Sequence, residues 1–468
     1  MRIDRLDLLN FRKFEDSTFE FPRSTNSRPG NGSFHVLIGE NGSGKTTILD
    51  ALAVAMGVWL ERKPDSLLAN SHRRLRKEDK RLVAIQAGDR TQFHRVADTM
   101  SVHATGRVLN ATQVSWGQEL GVGKTKVSNA SSKEVLASIW TAYEKVGRGE
   151  PILLPVLCYY GAGRAWLSHN ERQNVKAKSN GPQNRWEAFY DCLSERIRMA
   201  DLAHWFLNEH IAMGNRNGRP RPGFDVVRRA ALASIPGADE IWYDSDYQEI
   251  VLSIRGNVQP FGNLSAGQRV MLSMVVDLAI RMVTQNNHLL PEDAAESEVD
   301  SWPRVLEQTP GIVLIDELDV HLHPKWQRGV VESLRRVFPE IQFITTTHSP
   351  FIVQALREDE LINLQGQTVP QFGNLSVERI ANGLMGVERP DVGLRYEEMV
   401  EVAKDYLIQL EQAAVAPQEK LAAFESKLAE QIAPYADNPA FQAFLELKHA
   451  AKLGARSASS ASTETGVS

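Results

Sequence analysis

The sequence predicts an α/β protein: buried strands in a mixed sheet carry helices on their faces, antiparallel strands open the chain, and helices follow at its C-terminal end. Three observations predict it. Phe34 to Ile38 is a short apolar run that enters the loop Gly39-Glu40-Asn41-Gly42-Ser43-Gly44-Lys45-Thr46, after which Ile48, Leu49, Leu52, Ala55 and Met56 recur at helical spacing. Gly311 to Glu317 repeats the buried-strand pattern, with apolar residues closed by two adjacent carboxylates. Ahead of both, Ile3, Leu6 and Leu8 and then Phe19 and Phe21 alternate with polar residues around the turn-rich stretch Ser24 to Gly32, the pattern of antiparallel strands.

The elements divide the chain into segments. Residues 1–60 hold the first strands and the glycine loop. Residues 61–150 are read as an insertion with short strands, rich in Ser, Thr and Gly towards Gly149. Residues 151–260 combine a strand, Ile152 to Tyr160, with a helical lobe that includes Trp186 to His210, and end near a second strand, Ile250 to Ile254. Residues 261–375 carry the remaining motifs. Helices dominate 376–454, with Val377 to Leu384, a long stretch from Tyr396 to about Glu430, and Asn438 to Lys452. Residues 455–468 are Ser- and Thr-rich with few apolar side chains and are expected to be disordered.

Composition narrows the function classes. The 468 residues are 42% hydrophobic and 24% charged, as in an ordinary globular protein with two or three structural units. No apolar run is long enough to span a bilayer and no signal-like stretch opens the chain, so a cytoplasmic protein without membrane contact is expected. Two cysteines, Cys158 and Cys192, are too few for a disulfide framework or a structural zinc site. A net charge of −5 means that any nucleic-acid surface must be local. Two basic groups, Arg73 to Arg81 and Arg216, Arg219, Arg221, Arg228 and Arg229, suit DNA or RNA phosphates and equally suit solvated loops.

Four motifs carry chemistry. The loop from Gly39 matches GxxxxGK[ST] in full: glycines let backbone N–H groups approach phosphate oxygens, Lys45 reaches the β- and γ-phosphates, and Thr46 offers its hydroxyl to Mg²⁺. Asn41, Gly42, Ser43, Gly44 and Thr47 complete this ATP-binding set. At the C-terminal tip of the second strand, Asp316 is placed to hold Mg²⁺ through its water shell and Glu317 to orient or deprotonate an attacking water. Leu264-Ser265-Ala266-Gly267-Gln268-Arg269 puts a serine at a helix N-terminus, where Ser265 suits a phosphate; taken alone it is more simply a capped helix, and Gly267 and Gln268 join the phosphate-binding set through the family resemblance these motifs carry. Phe343 to Thr347 is an apolar-to-polar strand that ends in His348, by itself an ordinary structural histidine and a second catalytic candidate only through the family resemblance that these motifs carry.

These four motifs in this order resemble the ABC-type ATPases, in which a glycine loop, a signature segment LSGGQ, a Walker B pair and a switch histidine build a site shared between two heads. The opening RIDRLDLLNFRKFEDSTFEF and the segment DELDVHLHPKWQ resemble the RecF, SMC and overcoming-lysogeny-defect branch rather than transporter motors. Ala266 replaces one signature glycine, and His323 stands where transporters carry an aspartate. No glutamine follows the strand that ends in Tyr159-Tyr160-Gly161-Ala162-Gly163-Arg164; Gln86, Gln113 and Gln118 are candidates to replace the family's Q-loop residue, and the sequence favours none of them. That segment, together with LHPKWQ, Leu384-Met385-Gly386-Val387 and Asn438-Pro439-x-Phe441, resembles the ATPase subunit of Septu-type antiphage defence systems and related retron-associated ATPases. The resemblance implies an ATP- and Mg²⁺-dependent ATPase that forms homodimers or higher oligomers through its heads and works with a separate HNH nuclease subunit. The competing reading is a RecF-like DNA-binding repair ATPase without a nuclease partner.

Overall fold

The computed structural model describes residues 1–23, 32–61, 73–87, 90–96, 98–165, 185–292, 301–366, 375–387, 390 and 393–415, with positions 430, 443, 445, 447 and 448. In chain order these form β1 (Arg2–Phe11), β2 (Phe14–Glu20), β3 (Ser33–Ile38), α1 (Lys45–Met56), β4 (Leu82–Ala87), β5 (Arg90–Arg95), β6 (Met100–Val108), β7 (Ala111–Leu120), α2 (Lys133–Gly147) and β8 (Val156–Tyr160). Then come α3 (Met199–Gly214), α4 (Pro222–Ser234), β9 (Ala238–Asp244), β10 (Glu249–Ile254), β11 (Asn257–Pro260), α5 (Ala266–Gln285), α6 (Arg304–Gln308) and β12 (Gly311–Ile315). The first compact unit, Met1–Met385, closes with α7 (Pro324–Val337), β13 (Ile341–Thr346), α8 (Pro350–Gln354), β14 (Leu361–Asn363) and α9 (Val377–Met385). The second unit, from Gly386, contains α10 (Leu394–Val415). The expected helix Asn438 to Lys452, the part of the long helix from 416 to 429, and the expected disordered tail 455–468 lie outside the described residues, apart from isolated positions.

The central sheet has the order β14-β3-β13-β12-β8 and is parallel throughout. Antiparallel pairing is confined to separate sheets, β2-β1-β6-β7, β11-β10-β9 and the hairpin β4-β5. A parallel strand covered on both faces is buried on both, and β8, β12, β13 and all of β3 after Ser33 are buried at every residue. The period of two then sorts their residues. Val36, Cys158, Val313 and Phe343 face a core built with α4, α5 and α7, whereas Leu37, Leu157, Leu314 and Ile344 face a second core with α1 and the β1 sheet. Helix α1 therefore lies between two sheets, and all but its second and third residues are buried.

The segment 61–150, read from sequence as an insertion, is continuous with the N-terminal sheet. β6 pairs with β1 from Arg2↔Arg107 to Leu9↔Ser101, and β7 pairs with β6. Only the hairpin β4-β5 stands as a separate small sheet. Gln118 is buried in β7 with its Oε1 accepting the Leu75 N–H at 3.0 Å, and Gln113 and Gln86 sit in β7 and β4. All three belong to antiparallel sheets rather than to the end of β8. Among the described residues, no helix is long and apolar enough to cross a membrane.

Burial also sets one pH response. His35 is fully buried in β3, its Nε2 2.9 Å from the Pro22 carbonyl, and desolvation with the nearby Arg2 charge lowers its imidazole to about 3. Folded, it stays neutral; unfolded, it takes a proton below its ordinary value of 6.5. Stability from this group is thus complete above that value and is lost as pH falls towards 3. Between pH 7 and pH 5 the loss should be about 2 kcal/mol, at about 1.4 kcal/mol per pH unit below the ordinary value. Urea midpoints should fall accordingly, and His35→Phe, which leaves Pro22 O bonded to Arg2, should show a flatter dependence. Equal slopes in both proteins would refute the assignment.

Candidate nucleotide site

The glycine loop leaves β3 through three left-handed or near-left-handed turns, with φ of +150° at Gly39, +80° at Gly42 and +105° at Gly44. Space also requires glycine at two of them: a Cβ at Gly39 would lie 2.8 Å from Ser43 Oγ, and one at Gly44 would lie 2.6 Å from Phe14 Cζ. Helix α1 then begins at Lys45 with no side-chain cap and no acid in its first turn. Its first N–H groups and dipole end are thus offered to an anion. Lys45 arches back over the loop, Nζ donating to the Gly39 and Glu40 carbonyls at 2.6 and 3.1 Å. Burial lowers its ammonium against the opposing pull of Asp316, Glu317 and Asp319. Ser43 Oγ is buried without a hydrogen-bond partner inside this cradle, a polar atom that a phosphate oxygen would satisfy.

The carboxylates arrive on the tip of β12. The Asp316 N–H donates to Tyr160 O at 2.8 Å, extending the β8 pairing by one residue. The Asp316 side chain accepts from Thr46 Oγ1 at 3.0 Å and from Thr346 Oγ1 at 2.6 Å. Among the described residues no group of three or more His, Cys, Asp or Glu is placed to hold a metal. A hydroxyl beside one carboxylate fits Mg²⁺, which keeps waters and shares its shell with substrate phosphates. Glu317 follows with φ +51°, rare for a residue with a Cβ. Its N–H donates to the same Thr346 Oγ1 at 2.7 Å.

Thr346 thus bridges both acids with one hydroxyl. Thr346→Val keeps the shape but strands a buried N–H and a carboxylate oxygen, and should cost about 2–4 kcal/mol of stability. Chemical unfolding measures this; an unchanged midpoint would exclude the bridge.

Further along, Asp319 Oδ1 accepts from Thr347 Oγ1 at 2.5 Å and from the His348 N–H at 3.2 Å. Gln327 on α7 donates to Leu322 O at 2.8 Å and accepts from Ser349 Oγ at 2.6 Å. His348 is exposed between these pinned residues. His323 serves as the N-cap of α7, its Nδ1 accepting the Lys325 N–H at 3.2 Å.

The segment 264–268 is a capped helix start. Ser265 Oγ accepts the Gln268 N–H at 3.3 Å, and Gln268 Oε1 accepts the Ser265 N–H at 2.9 Å, a reciprocal capping box. Gly267 is needed by packing, since a Cβ there would lie 2.5 Å from the His321 carbonyl. The structure therefore gathers Lys45, Thr46, Asp316 and Glu317 in one cluster, and these hydrogen bonds of Ser265 and Gln268 are outside it. Residues that sequence reasoning did not single out complete the cluster: Thr346, Asp319, Gln327, Arg164, and Lys13, whose Nζ donates to Gly42 O at 2.5 Å. Lys13, Arg164, Asp319 and Gln327 lie in the segments that carry the family resemblance, and Thr346 in the hydroxyl run Thr345-Thr346-Thr347 ahead of His348, but no local pattern assigned them to the site.

Several cations of the two basic groups are engaged within the fold. Arg73 pairs with Asp50 and Glu195 and lies 4.8 Å over the Tyr159 ring, Arg81 pairs with Glu15 at 3.0 Å, Arg221 with Glu209 at 3.2 Å and Arg228 with Asp225 at 3.3 Å. Arg216 and Arg219 are exposed in the α3–α4 loop.

A parallel sheet with a phosphate loop after one strand and a carboxylate pair after another defines the class as a P-loop nucleotide-binding protein. Profiles of two families agree on the class: an AAA domain over residues 5–210, and "AAA domain, putative AbiEii toxin, Type IV TA system" over residues 255–354. Within that class the chain is similar to the Septu protein PtuA of Bacillus mycoides (strain KBAB4), 23% identical over 77% of this chain and 40% of that protein. It is also similar to the Retron Vc95 probable ATPase of Vibrio cholerae serotype O1 biovar El Tor, 23% identical over 77% of this chain and 73% of that protein. The chain therefore spans well under half the length of this Septu relative. A solved SMC head bound to the C-winged helix domain of ScpA aligns over 78% of this chain and 94% of that chain, at 16% identity and a TM-score of 0.41.

Proposed function

We propose that the chain is the ATP-binding and ATP-hydrolysing subunit of an antiphage defence complex, pairing head to head with a second copy and controlling a partner nuclease of the HNH type. The observation that carries this reading is the division of the site. Lys45, Thr46, Asp316 and Glu317 form one cluster, whereas Ser265 is an exposed cap on α5. A serine at an exposed helix start is suited to a phosphate presented from outside its own subunit, and a second head would present one. Similarity to proteins named for Septu and retron systems supports the defence role.

In this mechanism the amides of 41–47 and Lys45 hold the β- and γ-phosphates, and Ser43 Oγ gains the partner it lacks. Thr46 and Asp316 would hold Mg²⁺, which supplies neutralisation of charge growing between the phosphates. Glu317 orients the water and takes its proton, and His348 contacts the γ-phosphate from the tip of β13, between β3 and β12. The exposed Arg216 and Arg219 offer a local contact for DNA or RNA.

Mixing tests the shared site. Ser265→Arg and Lys45→Ala chains, each inactive alone, should regain up to one working site per dimer when combined. No recovery in dimers verified to be mixed would exclude action of Ser265 on the partner's nucleotide. Co-purification with the product of the neighbouring gene, followed by mass measurement, tests the nuclease; a repair protein there would favour the RecF-like alternative.

A further inference from the structure

Arg164 is a buried cation with no catalytic role so far. It is 2% exposed and begins from a one-turn helix, Ala162–Ala165, placed directly after β8. Its hydrogen bonds run to three backbone carbonyls: Nη1 donates to Gly161 O at 3.1 Å and to Asp316 O, and Nη2 donates to Glu317 O at 2.8 Å. Desolvation lowers its guanidinium to about 10, with Asp316, Asp319 and Glu317 acting in the other direction. The group thus remains charged at neutral pH. Burying such a charge against carbonyls alone is costly, and a hydrophobic residue would fill the volume without that cost.

What the charge achieves is visible in the backbone. In an extended strand successive carbonyls point to opposite sides, so no single fork can grip two in a row. Arg164 can do so here because Glu317 leaves the strand conformation at φ +51°. A non-glycine residue persists there only when its surroundings over-determine it. Glu317 is held from both ends, its N–H by Thr346 Oγ1 and its carbonyl by Arg164. The base of the fork is equally fixed. Gly161 donates its N–H to Glu195 O at 3.0 Å and packs so closely that a Cβ would lie 2.6 Å from Glu195 Cβ.

We propose that Arg164 is a positioning residue for hydrolysis, clamping the Asp316 and Glu317 carbonyls so that the strained Glu317 backbone holds its carboxylate where the attacking water is oriented. This inference rests on the reading of Glu317 as the residue that handles water. The planar fork is essential to it: a lysine supplies the charge but not two parallel donors. The segment Tyr159 to Arg164, which lacks the glutamine expected after this strand, in this way still serves the catalytic centre.

The full-length chain is assayed for steady-state ATP turnover and for binding of a fluorescent ATP analogue as wild type, Arg164→Lys, Glu317→Gln and the double variant. Arg164→Lys should lower kcat about 10- to 100-fold, the scale of a small misplacement of a catalytic group, with analogue affinity changed less than about twofold. In the Glu317→Gln background the same change should have no further effect on the residual rate, because a carboxylate that is absent cannot be misplaced. Guanidinium ion at millimolar concentration should restore part of the turnover of Arg164→Ala. Wild-type turnover in Arg164→Lys, a parallel loss of affinity, or an equal further drop in the double variant would overturn the inference. Undiminished turnover in Glu317→Gln alone would instead remove the reading beneath it.

Discussion

Glu317→Gln should bind ATP as the wild type does and hydrolyse it about 10²- to 10⁴-fold more slowly, the range that a positioned general base contributes. Shape is preserved, and the Glu317 backbone keeps its bonds to Thr346 and Arg164 because neither involves the side chain. Only the negative charge and the proton acceptor are lost. Removing one carboxylate beside Lys45 and Asp316 also lessens repulsion towards a bound triphosphate, so affinity should hold or rise. Single-turnover hydrolysis measured with equilibrium binding separates the two effects. A rate within a few-fold of wild type would show that another group activates the water, with His348 the first to examine.

Much of this site was legible because its signals are local. The phosphate loop needs residues in a fixed order along seven or eight positions, and the strand ending in Asp316-Glu317 announces itself by hydrophobicity alone. Ser265 as a helix cap followed from the same kind of short-range rule, with Gln268 three residues on. The parts that stayed hidden depend on contacts between distant positions. β6 completes the sheet begun by β1 about ninety residues earlier, and a strand's partner is not written in its own alternation. Gly267 resembled a phosphate-approach glycine, yet its small size is required by the His321 carbonyl. Arg164 is the extreme case, since its partners Asp316 O and Glu317 O are 152 and 153 positions away. Backbone carbonyls occur at every residue, so a side chain that recognises them leaves no pattern at its targets.

Lys45→Ala should weaken ATP binding about 10²- to 10⁴-fold, as expected for losing charge-assisted bonds to two phosphates at about 1.5–3 kcal/mol each. The same variant should not be less stable without nucleotide. In the folded state burial lowers the Lys45 ammonium despite three neighbouring carboxylates, so the empty site disfavours the charge relative to water. Burial thus works against this cation in the empty site, and on the proposed reading its present bonds to Gly39 O and Glu40 O give way to phosphate oxygens. Thermal melting distinguishes the two consequences. ATP with Mg²⁺ at about a hundred times its Kd should stabilise the wild type by about 2.7 kcal/mol and leave Lys45→Ala almost unmoved. A variant that melts far below wild type before any nucleotide is added would mean that Lys45 holds the loop together, and one that gains the full increment would mean that phosphate is bound elsewhere.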